Sequence, residues 1–422
     1  MISTDVQGAV DGAAQKLDTA VAGVGLRNVF QPIVSLPDES IIGFEALARW
    51  PQLDYPDPRS VLAHAAATGR VGQLDKLCIR SAIESALAAG IGRSSMVFIN
   101  SEPGAPYVSR AHDDLVARGH HDLRLVFELT ERDLLTDPPA LMRKVAALRS
   151  DGFAIALDDV GAHPDSLALL DVVSPDVIKL DLNLAQSERP YDQARTVSAI
   201  LAHRQRTGAI ILAEGIETAQ HSEHALALGA TLGQGFKYGR PGALRAGQHP
   251  TVDWSLPPRK QPRRCAAKSP FDVVAGTTPV RTVRKNTLLE LSRYIEGRAR
   301  IDLVPPMVLA AVQQADRFAG ETRRRYKDLA AVSPLVVVFA QDLPEELGSA
   351  IHGVCLDPTD ALCAEWVVLV LGPTTATALI ARDHGDSVDP KCRDSDRTFD
   401  LAVTNDRSLV TLAAGNLLDR ML

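Results

Sequence analysis

The chain has 422 residues, of which 45% are hydrophobic, and its formal net charge is −7 at pH 7. This length exceeds one typical domain, and because a single barrel takes up about 250 residues, two domains are expected. The acidic balance argues against a protein that binds a nucleic-acid polymer through a strongly basic surface.

The sequence has no feature that predicts export or membrane insertion. Its N-terminal stretch spreads Asp5, Asp11, Lys16 and Asp18 among alanines and valines, without the basic region and apolar run of a signal peptide. The longest apolar runs, such as residues 335–340 and 366–371, have the length of strands and fall far short of the roughly 20 residues that span a bilayer. We therefore expect a cytoplasmic protein with no membrane partner.

Short apolar runs alternate with longer amphipathic stretches between Phe30 and Phe236, which is typical of repeated strand and helix units. The runs that predict strands are residues 29–34, 41–47, 96–99, 123–129, 153–157, 177–180, 210–213 and 232–236. Eight such strands predict an α/β fold in which the strands close into a TIM-like (β/α)8 barrel.

Polar side chains follow the predicted strands at their carboxyl ends, where barrels of this kind carry their active sites. These residues are Glu45, Asn100, Glu128, Asp158, Asp159, Lys179, Asp181, Glu214 and Gln234. A single carboxylate at a strand end is more often a helix cap or part of a surface ion pair. The complete set is what indicates a functional site.

The chemistry of this set predicts a metal centre. Carboxylates together with an asparagine amide are hard oxygen ligands that suit Mg²⁺ or Mn²⁺ better than zinc. The adjacent Asp158 and Asp159 suit two neighbouring cations, an arrangement used to hydrolyse phosphodiesters. A nearby lysine such as Lys179 can hold a phosphate oxygen or orient the attacking water.

The second half of the chain has a different organisation. We expect an N-terminal extension at 1–25, the barrel at 26–245, a proline-rich and basic linker at 246–285 and an α/β domain at 286–422. In the last domain the patterns predict helices at 288–296, 306–329 and 406–421 and strands at 335–340, 366–371, 377–381 and 399–403.

The motifs of the first domain occur in the order of one known family. The run Gly43-Phe44-Glu45-Ala46-Leu47-Ala48-Arg49-Trp50 resembles the signature after which EAL domains are named, and Phe30-Gln31-Pro32-Ile33-Val34 is similar to the family's first strand. The later motifs that resemble the family are Asn100, Glu128-Leu129-Thr130-Glu131, Asp158-Asp159, Ile178-Lys179-Leu180-Asp181, Ala213-Glu214-Gly215-Ile216-Glu217 and Gln234-Gly235-Phe236.

The resemblance implies a metal-dependent phosphodiesterase that opens cyclic di-GMP to linear pGpG. By position, Glu45, Asn100, Glu128 and Asp158 hold one metal, and Asp158, Asp159 and Glu214 hold the second. Lys179 contacts the nucleophilic water or the phosphate, and Glu45 and Glu214 also count as catalytic residues, while the identity of the general base stays open. The residues implied in substrate binding are Gln31, Arg49, Asp181, Glu217 and Gln234, and Glu131 supports the loop after the paired aspartates.

That loop departs from the family, which usually has Phe-Gly-Thr-Gly-Tyr-Ser-Ser-Leu after the paired aspartates. Here residues 160–167 read Val-Gly-Ala-His-Pro-Asp-Ser-Leu. Pro164 fixes one φ angle and removes a backbone donor, and His163 replaces a glycine. The departure keeps a second reading open, in which the protein is a weak or inactive cyclic di-GMP receptor that acts through protein contacts.

The C-terminal domain resembles DICT sensory domains, through the helix at 288–296 and the basic stretch Glu321-Thr322-Arg323-Arg324-Arg325-Tyr326. The resemblance implies that this domain senses an unknown ligand or protein partner and regulates the barrel. A homodimer is the default expectation for the oligomeric state.

Overall fold

The computed structural model describes residues 12, 14–54, 56–130, 137–160, 164–182, 190–244, 256–257, 267–302, 304–345, 347–348, 350–385 and 397–422. These residues separate into two compact units. The first comprises 1–162, 175–197 and 208–259, and the second comprises 163–174, 198–207 and 260–422.

A closed barrel of eight strands forms the first unit and confirms the predicted fold. Its strands are β1 (Arg27–Ser35), β2 (Ile41–Arg49), β3 (Met96–Ser101), β4 (Arg124–Thr130), β5 (Ala154–Asp158), β6 (Val177–Asp181), β7 (Ile210–Glu214) and β8 (Leu232–Gln234). β2 to β8 run parallel, whereas β1 is antiparallel to both of its neighbours, β2 and β8. The barrel therefore departs from eight repeated strand–helix units, because a hairpin joins β1 directly to β2.

Helices follow the parallel strands and several begin at a side-chain cap. They are α1 (Pro58–Ala67), α2 (Val71–Ala88), α3 (Asp114–Asp122), α4 (Pro138–Ser150), α5 (Leu170–Val173), α6 (Pro190–Thr207) and α7 (Ala219–Ala227). Asp57, Asp113, Asp137 and Thr218 each accept a hydrogen bond from a backbone amide in the first turn that follows. These caps satisfy amides that the helix cannot pair internally and so fix where each helix starts.

Apolar side chains fill the barrel interior below the strand ends that carry the polar set. Ile33, Ile42, Phe98, Val126 and Leu212 belong to this core and are at most 1% exposed. Because residues alternate between the two faces of a strand, every second residue of β2 to β8 faces the barrel interior. The interior residues nearest the carboxyl ends of these parallel strands therefore lie at the same end of the barrel.

A seven-stranded sheet with the order β12-β11-β10-β13-β14-β15-β9 forms the centre of the C-terminal domain. Its strands are β9 (Arg281–Arg284), β10 (Met307–Gln314), β11 (Val336–Gln341), β12 (Ile351–Cys355), β13 (Glu365–Leu371), β14 (Ala376–Asp383) and β15 (Thr398–Thr404). Its helices are α8 (Pro270–Val274), α9 (Lys285–Arg300), α10 (Gly320–Ala330) and α11 (Arg407–Leu418). No helix among the described residues combines the length and apolar character needed to cross a membrane.

One element predicted in this domain is wrong. The predicted helix at 306–329 is instead the central strand β10 followed, after a short turn, by α10. Residues Met307 to Ala311 are completely buried because β11 and β13 flank the strand and both faces of the sheet are covered. Such a strand has no alternation of polar and apolar residues, so its sequence cannot be told from a buried helix. In addition, α8 and β9 fall within the range 246–285, for which the sequence predicts a linker.

The second unit contains a buried carboxylate that joins three of its segments. Asp171, in α5, accepts hydrogen bonds from His203 Nδ1 at 2.9 Å, Arg206 Nη2 at 2.8 Å and Arg407 Nη1 at 2.7 Å. Arg407 also donates to the carbonyl oxygen of Gly372 at 2.7 Å. Burial alone would raise the pKa of Asp171, but the hydrogen bond from His203 and the charge of Arg206 lower it below its usual value.

Replacing Asp171 with asparagine should lower the free energy of unfolding of the second unit by about 3 kcal/mol at pH 7, because the partly buried guanidinium groups of Arg206 and Arg407 lose their charged partner. A lowered folded-state pKa gives stability that is present above the usual aspartate pKa of about 4 and is lost as the pH falls through the lowered pKa. Urea unfolding at pH 7, 5 and 3.5 should therefore show the difference shrinking at the lowest pH. The exposed Asp419→Asn is the control, and a difference that does not change with pH would contradict the assignment.

Candidate functional site

Strand register brings the polar side chains of the barrel to one end. Asn100 on β3 pairs with Glu128 on β4, and Asp181 on β6 pairs with Glu214 on β7. Asp158 is the last residue of β5. Residues as distant in the chain as Asn100 and Glu214 therefore meet in one mouth, since the carboxyl ends of neighbouring parallel strands lie side by side.

The side chain of Lys179 lies at the centre of this mouth and is 1% exposed. Its Nζ atom lies 2.9 Å from Glu128 Oε1, 3.0 Å from Asp158 Oδ1, 3.0 Å from Glu214 Oε1 and 3.8 Å from Glu45 Oε1. Burial alone would lower the pKa of Lys179, but the surrounding carboxylates, Asp158 foremost, raise it well above its usual value. The side chain is therefore a charged ammonium group.

Three neutral amides orient Glu45 and the side chains next to it. Asn100 Nδ2 donates to Glu45 Oε1 at 3.0 Å, and Gln234 Nε2 donates to Glu45 Oε2 at 2.6 Å. Gln234 Nε2 also lies 3.2 Å from Gln31 Oε1, and Gln31 Nε2 donates to the carbonyl oxygen of Gly239 at 3.2 Å. Because both oxygens of Glu45 accept from a fixed amide, the carboxylate is held in one orientation.

Glu128 is the least satisfied member of the site. It is completely buried, and neither of its carboxylate oxygens receives a hydrogen bond from the described residues. The 2.9 Å contact with Lys179 is thus an ion pair without hydrogen-bond geometry. Burial and the charge of Glu45 raise the pKa of Glu128 well above its usual value. A buried carboxylate without donors is what a bound cation would satisfy, so the residues present fit a divalent metal.

A second group of oxygens lies beside this carboxylate. Asp158, Asp159 and Glu214 each offer one carboxylate oxygen within 4.8 Å of the other two. Asp159 adopts a left-handed backbone conformation with φ of 56°, which costs of order 1–3 kcal/mol for a residue other than glycine. Burial and the charge of Asp158 raise the pKa of Glu214, and the charge of Lys179 opposes them. Two metal positions are consistent with this arrangement because Asp158 belongs to both groups of oxygens.

Two other residues predicted for the site make hydrogen bonds with their own neighbours in the chain. Arg49 is half-buried at the end of β2, and its Nη1 atom donates to the carbonyl oxygen of Ala48 at 2.8 Å. Glu217 is exposed in the loop after β7, and its backbone amide donates to His221 Nδ1 at 3.3 Å. Glu131 and residues 161–163 of the loop after the paired aspartates lie outside the described residues.

Sequence reasoning missed a buried ion pair behind the site. Lys144 Nζ on α4 lies 3.0 Å from Asp75 Oδ2 on α2, and the two side chains are 1% and 3% exposed. A separation of 69 residues and the lack of a shared motif hide the pair in the sequence. A signal was nevertheless present, because Lys144 lies between Leu141 and Leu148 on the buried face of α4, where an apolar residue is expected.

A scan against family models matches residues 14–241 to the EAL domain, which is more than half of the chain. The chain belongs to the EAL family. Residues 272–384 match the DICT domain, described as the sensory domain in diguanylate cyclases and two-component system. The chain therefore combines an EAL barrel with a C-terminal DICT sensory domain, as the sequence motifs predict.

Curated relatives and solved structures match about half of the chain. The probable cyclic di-GMP phosphodiesterase PdeB of Escherichia coli (strain K12) is 30% identical over 219 residues, which are 50% of this chain and 42% of the relative. The bifunctional diguanylate cyclase/cyclic di-GMP phosphodiesterase MucR of Pseudomonas aeruginosa is 30% identical over 225 residues, which are 50% of this chain and 32% of the relative. A manganese/cy-diGMP complex of Klebsiella pneumoniae BlrP1 is 29% identical with a TM-score of 0.44, covering 52% of this chain and 56% of that one. The chain thus spans less than half the length of these two curated relatives.

Replacing Glu128 with glutamine should stabilise the metal-free barrel and weaken its stabilisation by bound metal. Without metal we expect the unfolding temperature of the barrel to rise by about 2–4 °C, equivalent to about 1 kcal/mol, because a neutral amide removes a poorly satisfied buried carboxylate. Mn²⁺ at 100 times its dissociation constant should stabilise the unchanged protein by about 2.7 kcal/mol, and the variant should lose most of this gain.

Thermal unfolding with and without Mn²⁺ measures both effects in one experiment. Glu223→Gln, an exposed position on α7, is the matched control and should change neither. If the Glu128→Gln variant keeps the full Mn²⁺-dependent shift in unfolding temperature, then Glu128 is not a metal ligand.

Proposed function

We propose that this protein hydrolyses cyclic di-GMP to linear pGpG with Mg²⁺ or Mn²⁺ and that its DICT domain regulates the reaction. The observation that supports this most directly is the cluster of Glu45, Glu128, Asp158 and Glu214 around the buried Lys179 ammonium group. Such a concentration of carboxylates costs stability in the absence of a cation and suits the handling of a phosphodiester when cations are bound.

The residues that would hold the metals lie at the strand ends that meet in the mouth of the barrel. We assign Glu45, Asn100, Glu128 and Asp158 to one ion and Asp158, Asp159 and Glu214 to the other. Bound metals would lower the pKa of a coordinated water from 15.7 towards about 7 and would stabilise negative charge on phosphoryl oxygens. Glu45 and Glu214 would then act in catalysis by fixing these ions in the mouth of the barrel.

The remaining groups would bind and orient the substrate. The ammonium group of Lys179 is placed to hold a phosphate oxygen or to orient the attacking water, since it is charged and shielded from solvent. We assign Gln31, Arg49 and Gln234 to the walls of the dinucleotide pocket, where the planar fork of arginine matches phosphate oxygens or a guanine edge. Asp181 and Glu217 are further substrate contacts in this proposal, and Glu131 supports the loop.

A time course tests the proposal directly. Purified protein is incubated with cyclic di-GMP and Mg²⁺ or Mn²⁺, and substrate and pGpG are separated by chromatography. We expect metal-dependent accumulation of pGpG, and a loss of at least about 10²-fold in Glu45→Ala, because the metal ion that would stabilise charge on the phosphoryl oxygens loses a ligand. The variant should keep the circular dichroism spectrum of the unchanged protein, and near-normal turnover in it would refute the metal assignment.

The altered loop supports one competing function, a cyclic di-GMP receptor that turns over slowly or not at all. Pro164 opens the short helical turn Pro164–Leu169, where it fixes a φ angle and provides no backbone donor. Intact substrate in the time course, with cyclic di-GMP binding measured in the same sample, would favour the receptor. Under either function we propose that the DICT domain responds to a ligand or protein partner and that the chain forms a homodimer.

Giving the loop the family's sequence should raise turnover if the loop is the weak point of catalysis. The substitutions are Val160→Phe, Ala162→Thr, His163→Gly, Pro164→Tyr and Asp165→Ser. We expect an increase of at least about tenfold in kcat, because small displacements of a metal ligand such as Asp159 are costly to the rate. The same substitutions combined with Glu45→Ala should stay inactive, and an unchanged kcat would show that the natural loop is competent.

A further inference from the structure

The buried ion pair between Asp75 and Lys144 lies outside the metal set, and the proposed reaction does not use it. Both side chains are almost completely shielded from solvent, at 3% and 1% exposure. Transferring two charges into the interior is expensive, and apolar residues of similar volume are often equally stable or more stable in such a place. Net stability alone therefore does not account for the pair.

The pair ties down the backbone that immediately follows Asn100. Asp75 Oδ1 accepts from the backbone amide of Glu102 at 2.7 Å, and Asp75 Oδ2 accepts from Ser101 Oγ at 3.3 Å. Lys144 Nζ donates to the backbone carbonyl oxygen of Glu102 at 2.6 Å. Both backbone groups of Glu102 are thus bound by partners that are themselves ion-paired.

Strand alternation relates this clamp to the site. Ser101 is the last residue of β3 and points to the opposite face of the strand from Asn100, whose amide donates to Glu45. The clamp therefore holds the carboxyl end of β3 from the helix side while Asn100 faces the barrel interior. Fixing Ser101 and Glu102 restricts the position and direction of the Asn100 side chain.

A second ion pair on the same helix acts at the other end of the barrel. Arg149, in the last turn of α4, is paired with Asp176 and donates to the carbonyl oxygen of Phe153 at 3.3 Å. Asp176 accepts from the backbone amide of Ile155 at 2.8 Å. This pair has a similar arrangement with side chains that are 18% and 15% exposed, and it holds the amino end of β5, whereas Asp158 lies at the carboxyl end of that strand. It therefore provides a control.

We propose that Asp75 and Lys144 are positioning residues for metal binding, acting through Asn100. The inference rests on the proposed function, because it takes Asn100 to be a metal ligand. It assigns to the pair a role that an apolar pair could not fill, since apolar side chains offer no hydrogen bonds to the Glu102 backbone.

The test compares two double variants of the full chain. A single substitution would leave one charge buried and unpaired and would risk unfolding the barrel, so both partners are replaced together, as Asp75→Leu with Lys144→Met. The control is Asp176→Leu with Arg149→Met. Mn²⁺ affinity is measured by calorimetry below the unfolding temperature of each protein. We expect binding at least about fivefold weaker in the first double variant and within about twofold of the unchanged protein in the control.

Combining the changes with Asn100→Ala distinguishes positioning from a purely structural role. If the pair acts through Asn100, then replacing it in the Asn100→Ala background should weaken Mn²⁺ binding no further, because interacting positions are not additive. An unchanged affinity in the Asp75→Leu, Lys144→Met protein, or an equal loss in both double variants, or a full additional loss in the Asn100→Ala background, would overturn the inference. Failure of the unchanged protein to bind Mn²⁺ would instead overturn the proposed function on which it rests.

Discussion

The ammonium group of Lys179 is 1% exposed and lies within 3.0 Å of oxygens from three carboxylates and 3.8 Å from a fourth. Ionised carboxylates so close together repel one another strongly in a medium of low dielectric constant. One lysine offsets only part of this repulsion, and the pKa values of Glu128 and Glu214 are raised by their burial and by the neighbouring carboxylates. The mouth of the barrel is therefore strained electrostatically in a way that bound divalent cations would relieve.

The backbone of the same lysine also supports the site. The amide of Val160 donates to the carbonyl oxygen of Lys179 at 3.1 Å, directly after Asp159. Asp159 lies in the left-handed region, and such a conformation persists only where neighbouring structure holds it. Lys179 thus contributes to the mouth twice, through its charge and through a backbone bond that fixes the second of the paired aspartates. Both contributions depend on the register of β5 against β6.

Much of the barrel and its site follows from the sequence because both depend on a periodic pattern. Each of the eight strands appears near its predicted position, and a carboxyl end is recognisable when an apolar run stops at a polar residue such as Asp158 or Glu214. The antiparallel β1 is not recognisable in this way, because strand direction leaves no mark on the apolar pattern. The helix wrongly predicted over β10 fails for a related reason, since complete burial on both faces erases the alternation on which the prediction depends.

Contacts between distant side chains are the part of the site that the sequence does not contain. Asp75 and Lys144 come from different helices, and each residue type alone predicts an exposed position. Their burial follows only once α2 and α4 pack beside the carboxyl end of β3. A metal site therefore requires two kinds of information. The ligands lie at strand ends and can be recognised as sequence motifs. The groups that hold those ligands in place are brought together by tertiary packing and are identified only in the three-dimensional structure.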